Sequence, residues 1–153
     1  MIIYQQEFLT QVKPDIEPLL RQDWEEIEHN KELRKFDPAW ELYETLEETN
    51  SLSIFTARSD SKLIGYFVVI TVPSLHCRGL TQALCDIIYL DKDYRKGLVG
   101  YKLFKFAEEC IREDGADVLY VATTEVNPID NLMVKLGYTK IETRFEKVLQ
   151  WQQ

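Results

Sequence analysis

Cysteine, glycine and proline are scarce in this sequence, and it contains no long apolar run. Its three cysteines, Cys77, Cys85 and Cys110, have no CxxC spacing, and only two histidines could help them to bind a metal. We therefore expect neither a disulfide framework nor a metal site, and we expect a cytoplasmic location. No apolar stretch approaches the roughly 18 residues of a membrane-spanning helix, and the N-terminus lacks the basic and apolar blocks of a secretory signal.

Positive charge is also in short supply. The chain carries 18 Lys and Arg against 26 Asp and Glu, a formal net charge of -8. Such a surface repels phosphate backbones and anionic lipid, so neither nucleic acid nor a membrane is expected as a partner. The negatively charged surface either suits a cationic partner such as an amine or serves solubility alone. Hydrophobic residues make up 45% of the 153 residues, so we expect one domain with a real core over residues 1–153.

Apolar residues at three- and four-residue spacing predict helices in four places: 12–27, 40–46, 99–110 and 127–137. In the last of these, Asn127 precedes Pro128 as an N-cap, and Gly137 ends the helix. Runs rich in β-branched and aromatic residues predict strands at 52–58, 62–72, 82–90 and 117–123, and the tail 138–149 is predicted to add one or two more. Antiparallel strands followed by a strand–helix–strand crossover indicate a mixed α/β (α+β) sheet covered by helices.

The stretch 86–103 carries the strongest functional signal. A strand runs into a short turn that contains Arg95, Lys96, Gly97 and Gly100, and a helix starts directly after the turn. Free N–H groups at a helix start attract an anion, and the glycines leave room for close approach. The spacing fits neither a P-loop nor a dinucleotide-binding fingerprint. The stretch is either a phosphate-binding turn or an ordinary turn with solvated basic residues.

This turn resembles the acyl-CoA-binding motif of the GNAT superfamily of N-acetyltransferases, in which Arg/Gln-x-x-Gly-x-Gly/Ala opens a helix. Arg95 and Gly100 match the motif. Leu98 stands at its middle glycine, and a glycine lies one place earlier, at Gly97. We therefore identify the chain by resemblance as a GNAT-type protein.

The resemblance extends along nearly the whole chain. The stretch 132–138 resembles the family's Leu-Tyr-x-x-Leu-Gly-Phe motif, and 145–149 resembles its closing strand. The order of the predicted elements also matches the family plan, in which a short first strand precedes the two helices. The stretches 24–43 and 73–76 resemble GNAT-like proteins that phages encode.

The resemblance implies acetyl-CoA as the co-substrate and a mostly antiparallel sheet with helices on both faces. The acetyl-CoA would lie between two parallel strands that splay apart, 82–90 and 117–123. Backbone groups of Ile88, Tyr89 and Leu90 would pair with its pantetheine arm, and Asn127 would bond the same arm unless it serves only as an N-cap. Its pyrophosphate would be held by the turn residues Arg95, Lys96, Gly97, Leu98, Val99, Gly100 and Tyr101.

Two residues are candidates for removing a proton from the acceptor. Alternation along the strand places one carboxylate in an apolar row of four residues: Leu84, Asp86, Ile88 and Leu90. Desolvation would raise the pKa of Asp86, and GNAT members often carry an acidic residue at this position. His76, in the preceding loop, borders the acceptor side in the family plan. The alternatives are a carboxylate satisfied by a neighbouring group and a solvated loop histidine.

The general acid and the acceptor site are less clearly marked. The family's usual acid is the tyrosine of the Leu-Tyr-x-x-Leu-Gly-Phe motif, but Met133 stands there and cannot donate a proton. Tyr138 is a substitute candidate, as are two other tyrosines, Tyr89 and Tyr120. By resemblance, Trp24 and Glu25 on the first helix would line the acceptor site. Glu125 either binds a cationic acceptor or is a solvated loop charge.

These features predict a GNAT-type acyltransferase that moves an acetyl group from acetyl-CoA to a primary amine by direct attack in a ternary complex. The acceptor would be a small amine, a peptide N-terminus or a lysine. The alternative, suggested by Leu98 and Met133, is a catalytically degenerate module that binds a partner protein. Relatives allow a homodimer, and a phage-encoded protein would act in the host cytoplasm.

Overall fold

The computed structural model describes residues 1–150, which form a five-stranded sheet flanked by α-helices. The elements in chain order are β1 (Ile2–Glu7), α1 (Leu9–Ile27), α2 (Trp40–Glu48), β2 (Leu52–Ser59), β3 (Lys62–Pro73), β4 (Thr81–Leu90), α3 (Val99–Glu113), β5 (Val118–Tyr120) and α4 (Asp130–Leu136). A short 3₁₀ helix, Lys92–Tyr94, lies between β4 and α3. No helix within residues 1–150 combines the length and the apolar character needed to span a bilayer.

The strands lie in the sheet in sequence order, from β1 to β5. Neighbouring strands from β1 to β4 are antiparallel, whereas β5 runs parallel to β4 after the crossover through α3. The predicted fold class, a mostly antiparallel mixed sheet with one parallel pair, is confirmed. The predicted strands β2, β3 and β4 agree with the structure to within one residue at each end.

The helices cover both faces of the sheet and build two apolar cores. Side chains alternate along β3, so Tyr66 and Val68 pack beneath α1, while Phe67 and Val69 pack beneath α3. This double burial explains why β3 is a nearly continuous apolar run in the sequence. Phe67 lies between two other rings, with centroid distances of 6.3 Å to Phe55 and 5.0 Å to Phe104. Burying such rings supplies much of the core's stabilisation.

Two predicted boundaries were wrong, and the first strand, β1, was implied only by the family plan. The hydrophobic pattern did not indicate β1, because this edge strand pairs with β2 alone and its sequence includes two glutamines, Gln5 and Gln6. β5 is shorter than predicted, with three residues. Helix α4 begins at Asp130 with Ile129 as its N-cap, so Asn127 is not the cap. Its predicted end is confirmed, because Gly137 has φ +85°, a left-handed conformation that glycine adopts readily.

The C-terminal tail does not form the predicted strands. Residues 138–150 have no strand pairing, and Phe145 is 91% exposed. A strand needs a neighbouring edge for its hydrogen bonds, and the three-residue β5 offers only a short one. The tail instead contacts the loop after α1, where Glu146 bonds His29 (3.0 Å) and the guanidinium of Arg34.

A buried ion pair fastens β1 to β2 and α1. Arg58 donates from Nε and Nη2 to the carboxylate of Glu7 (2.9 and 3.0 Å), and from Nη1 to Asp15 (2.8 Å). Thr56 donates a further hydrogen bond to Glu7. Burial favours a higher pKa for Glu7, but the hydrogen bonds from Arg58 and Thr56 outweigh it and hold the pKa below its ordinary value of 4.5. The pair is therefore charged at neutral pH.

Glu7→Gln should lower the free energy of unfolding by about 3 kcal/mol at pH 7, because it leaves a part-buried guanidinium short of its main partner. Since the folded pKa of Glu7 is lowered, its contribution is complete above pH 4.5 and is lost as the pH falls through the folded value. The difference in the free energy of unfolding between wild type and Glu7→Gln should therefore become smaller in acid. Urea unfolding at pH 7 and in acid measures it.

Glu44→Gln is the matched control for this prediction. Glu44 pairs with Lys13 at 3.9 Å, but both side chains are exposed. Its loss should cost less than about 1 kcal/mol at any pH. Equal effects of the two substitutions would show that burial adds nothing to the Glu7–Arg58 contact.

Candidate active site

An opening lies between β4 and β5. The two strands pair over three residues, from Gln82 with Val118 to Leu84 with Tyr120. β4 then continues to its end while β5 stops, so the β5 side of residues 85–90 faces no strand within residues 1–150. Backbone N–H and C=O groups on such an edge can bind an extended ligand as an added strand. The predicted splayed pair of parallel strands is confirmed.

A β-bulge in β4 lies beside this opening. In the register with β3, Cys85 pairs with Val69 and Ile87 pairs with Val68, which leaves Asp86 without a partner. A bulge inserts one extra residue and re-aims the side chains around it, and such bulges often lie next to active sites. Asp86, the predicted base, occupies the inserted position.

The bulge overturns the predicted apolar row. Regular alternation would have put Asp86 and Ile88 on the same face of the sheet as Leu84 and Leu90. In the structure Ile88 packs in the core beneath α3, whereas Asp86 lies on the other side, near Tyr43 of α2. The prediction was wrong because a bulge changes the period of two without leaving a mark in the hydrophobic pattern.

Asp86 is in a partly desolvated environment. Its side chain reaches solvent, but the surrounding protein still raises its pKa above the ordinary 3.8. Burial, followed by the charge of Asp86, raises the pKa of Tyr43. The same two causes raise the pKa of the Cys85 thiol to about 12, so Cys85 stays protonated and is a poor nucleophile. A carboxylate with a raised pKa beside an opening has the properties of a general base.

The phosphate turn, residues 91–100, joins β4 to α3. The Asp91 carboxylate accepts a hydrogen bond from the N–H of Asp93 (3.0 Å) and opens the 3₁₀ helix. Within residues 1–150, no hydrogen bond is made by the N–H groups of Val99, Gly100 and Tyr101, and no side chain caps this end of α3. These N–H groups therefore have no partner within the described protein, and anion binding by them stays a prediction.

The backbone explains why leucine is tolerated at position 98. Gly97 has φ +93°, a conformation that disfavours other residues, while Leu98 has φ -108°, which any residue adopts. The turn therefore needs its first glycine one place earlier than the family motif has it. A Cβ atom built on Gly100 would lie 3.6 Å from Cδ2 of Leu90, an ordinary contact. Leu98 is 62% exposed, so its side chain does not fill the core.

The two basic residues of the turn differ in their surroundings. Lys96 is exposed, so its ammonium group can approach a bound anion. Arg95 is bonded to Glu26 of α1 through two hydrogen bonds, of 2.6 and 2.8 Å. Its role at the turn therefore depends on this contact.

A sequence model of the Acetyltransferase (GNAT) family matches residues 13–138. The chain belongs to this family. It is therefore an acyltransferase of the GNAT type, with acetyl-CoA as its co-substrate. No curated protein sequence matches the chain significantly.

Solved structures share its fold. A ribosomal-protein-alanine N-acetyltransferase from Brucella melitensis biovar Abortus 2308 is 18% identical with a TM-score of 0.70, covering 99% of this chain and 100% of its own. An aminoglycoside acetyltransferase from an uncultured soil metagenomic sample is 16% identical with a TM-score of 0.76, covering 98% and 99%. A predicted acetyltransferase from Clostridium acetobutylicum, solved with acetyl-CoA, is 12% identical with a TM-score of 0.70, covering 97% of each chain.

The remaining predicted site residues of this GNAT protein lie in two loops. Asn127 and Glu125 are in the loop that follows β5, where the backbone N–H of Asn127 donates to Thr124 Oγ1 (3.2 Å). His76 is exposed in the hairpin loop at the start of β4, away from the phosphate turn at its other end. Within residues 1–150, no cluster of His, Cys, Asp and Glu is arranged to hold a metal.

The candidate acids lie on different sides of the sheet: Tyr89 packs in the core beneath α1, whereas Tyr138 lies on the α3 side. Met133 packs in the core beneath α3, and Tyr138 packs edge-on against Phe104 at a centroid distance of 6.4 Å. Burial, followed by the charge of Glu108, raises the pKa of Tyr138 well above its ordinary value. A phenol that holds its proton so firmly is a weaker acid than an exposed one.

The end of α1 forms part of an acidic cavity. Trp24 donates from Nε1 to the carbonyl of Arg34 (2.7 Å) and so fixes the loop after α1. Exposed Glu25 lines a cavity of about 470 Å³ between α1 and the phosphate turn, with these neighbours: Gln22, Glu26, Tyr89, Asp91, Lys92 and Asp93. The negative charge of this wall would favour a cationic ligand.

Two contacts of the site were not predicted. Tyr43 was placed on a helix stripe, and the structure puts it near Asp86. Glu26 is the partner of Arg95, 69 residues away in the sequence. No local sequence pattern indicates either contact. The only signal for Glu26 is its negative charge, which can pair with a basic residue of the turn.

Proposed function

We propose that the protein transfers an acetyl group from acetyl-CoA to a primary amine by direct attack in a ternary complex, with Asp86 accepting the amine's proton. The observation that carries the proposal is the position of Asp86. The bulge puts this carboxylate at the point where β4 loses its β5 partner, between the phosphate turn and the paired start of the strands.

The residues around the opening fit acetyl-CoA. The free edge of β4, including Ile88, Tyr89 and Leu90, offers backbone groups to an extended pantetheine arm. The free N–H groups from Val99 to Tyr101 and the exposed Lys96 would receive the diphosphate. Asn127 has its side chain available for the same arm, since its backbone rather than its side chain bonds Thr124. When bound, acetyl-CoA supplies the acetyl group as a reactive thioester.

The acceptor is a primary amine, because an acidic protein wall and a carboxylate base both suit a group that binds as a cation and must lose a proton. Glu25 and Glu125, both exposed, would attract it. Among the structural neighbours, one is named for a protein alanine and another for aminoglycosides. Both names are compatible with an amine acceptor, either a peptide N-terminus or a small molecule.

Initial rates test this function. Pure protein is assayed by thiol release with acetyl-CoA against a panel of small amines, peptides with free N-termini and peptides with a free lysine. We expect turnover on at least one class, with intersecting double-reciprocal lines because both substrates must be bound together. Parallel lines would indicate a covalent acetyl-enzyme and contradict direct attack.

A partner-binding module without transfer is the second candidate, and Met133 favours it because the usual acid position holds a buried thioether. The two functions predict different results in the same assay. A module would show no turnover on any amine class and would co-purify with a partner. Turnover on any of the amines would exclude it.

A further inference from the structure

An ion pair joins the phosphate turn to α1. Arg95 donates from Nη1 to Oε1 of Glu26 (2.6 Å) and from Nη2 to Oε2 (2.8 Å). Its Nε donates to the carbonyl of Leu90 (2.8 Å), the last residue of β4. Both partners are largely shielded, since the Arg95 side chain is 29% exposed and that of Glu26 is 14% exposed. We call these contacts the Glu26–Arg95 clamp.

The clamp occupies Arg95 on all three of its nitrogens. Two-bond contacts between guanidinium and carboxylate are among the stronger hydrogen-bonded pairs in proteins. The face of the guanidinium also lies over Tyr89, 5.1 Å from the ring centre. A diphosphate could engage Arg95 fully only by drawing it away from Glu26.

The surrounding charges favour a closed clamp. Hydrogen bonds from Arg95 hold the pKa of Glu26 below its ordinary value, so Glu26 is charged at neutral pH. Asp23, 3% exposed, lies alongside, and burial followed by the charge of Glu26 raises its pKa to about 7. Lys92 is the other cation, with Nζ 3.9 Å from Glu26. Arg95 therefore balances two neighbouring acids, and its release would leave them facing each other.

We propose that Arg95 is a positioning residue of the cofactor site: through the clamp it fixes the phosphate turn against α1, and the free backbone N–H groups of the turn receive the diphosphate. This inference rests on the proposed binding of acetyl-CoA. The clamp also ties the turn to the helix that carries Trp24 and Glu25. One contact thus connects the cofactor side and the acceptor side of the site.

Acetyl-CoA affinity, measured by calorimetry, separates a positioning role from a direct one. A clamp predicts that Glu26→Gln weakens binding about tenfold or more, as much as Arg95→Gln does, and that the double variant is no weaker than either single variant. If Glu26→Gln leaves the affinity unchanged or tightens it while Arg95→Gln weakens it, the guanidinium binds the diphosphate directly and the proposal is overturned.

Lys62→Gln is the matched control. It removes one positive charge beside the turn, where Lys62 Nζ lies 3.8 Å from Asp91, but leaves the two-bond contact in place, and the Lys62 side chain is 66% exposed. We expect its affinity to stay within about threefold of wild type. If it weakened binding as much as Arg95→Gln, overall charge rather than the clamp would explain both results.

Hydrogen exchange of the ligand-free protein tests the clamp without acetyl-CoA. The N–H groups of Asp91 and Tyr94 donate to the carbonyls of Ile64 (2.8 Å) and Asp91 (2.9 Å), and they report opening of the turn. Both clamp variants should speed exchange in residues 91–100, and Lys62→Gln should not. A wild-type protein that binds no acetyl-CoA would refute the proposed function, and this exchange would still decide the clamp: unchanged exchange in both variants overturns it.

Discussion

Gly100→Asp should weaken acetyl-CoA binding by about 100-fold or more, because a like charge placed at a diphosphate site costs several kcal/mol. The protein should remain folded. A Cβ atom at this position makes only an ordinary contact, 3.6 Å from Leu90. A negative charge in the first turn of a helix also interacts favourably with the helix dipole. Calorimetric titration with acetyl-CoA measures the affinity, and thermal unfolding checks the fold.

Two further substitutions at the same position separate charge from size. Gly100→Ala should bind nearly as well as wild type, since the structure has room for a methyl group. Gly100→Asn has the shape of aspartate without its charge and should fall between the two. If Gly100→Asp bound acetyl-CoA normally, the first turn of α3 would not be the diphosphate site.

Asp86→Asn should lower kcat by about 10²–10³-fold while leaving the affinity for acetyl-CoA unchanged, because the carboxylate is expected to accept a proton rather than to bind the co-substrate. The ionisation of Asp86 should also appear in the pH dependence of the wild-type rate. A base works only when deprotonated, so the rate should fall as the pH drops through the pKa of Asp86, which lies above 3.8. This acidic limb should be absent from the variant.

Stability should not account for the effect of Asp86→Asn. The raised pKa of Asp86 shows that folding disfavours its charged form, so removing the charge should not lower the thermal midpoint. Asp86→Glu, which keeps a carboxylate but displaces it, should retain part of the activity. Unchanged turnover of Asp86→Asn across the pH range would remove Asp86 from the mechanism and leave His76 as the candidate base.

The C-terminal tail and the first strand show where pattern and structure diverge. Ile141, Phe145 and Leu149 stay exposed, although the tail 138–149 was predicted to form one or two strands, because no sufficiently long sheet edge lies next to them. β1 carries a weak pattern, yet it forms because β2 offers an edge along its whole length. A strand needs hydrogen bonds with a neighbouring strand, so its own residues do not determine whether it forms.

Local chemistry was enough to predict β3, the helix stripes and the position of the turn before α3, because burial on two faces, a period of 3.6 residues and a glycine-containing helix start each leave a signal within a few residues. No such signal indicated on which face of the sheet Asp86 lies or which residue pairs with Arg95. The first depends on one residue inserted relative to β3, and the second on a carboxylate 69 positions away. Both arise from contacts between distant segments, and these exist only once the chain has folded.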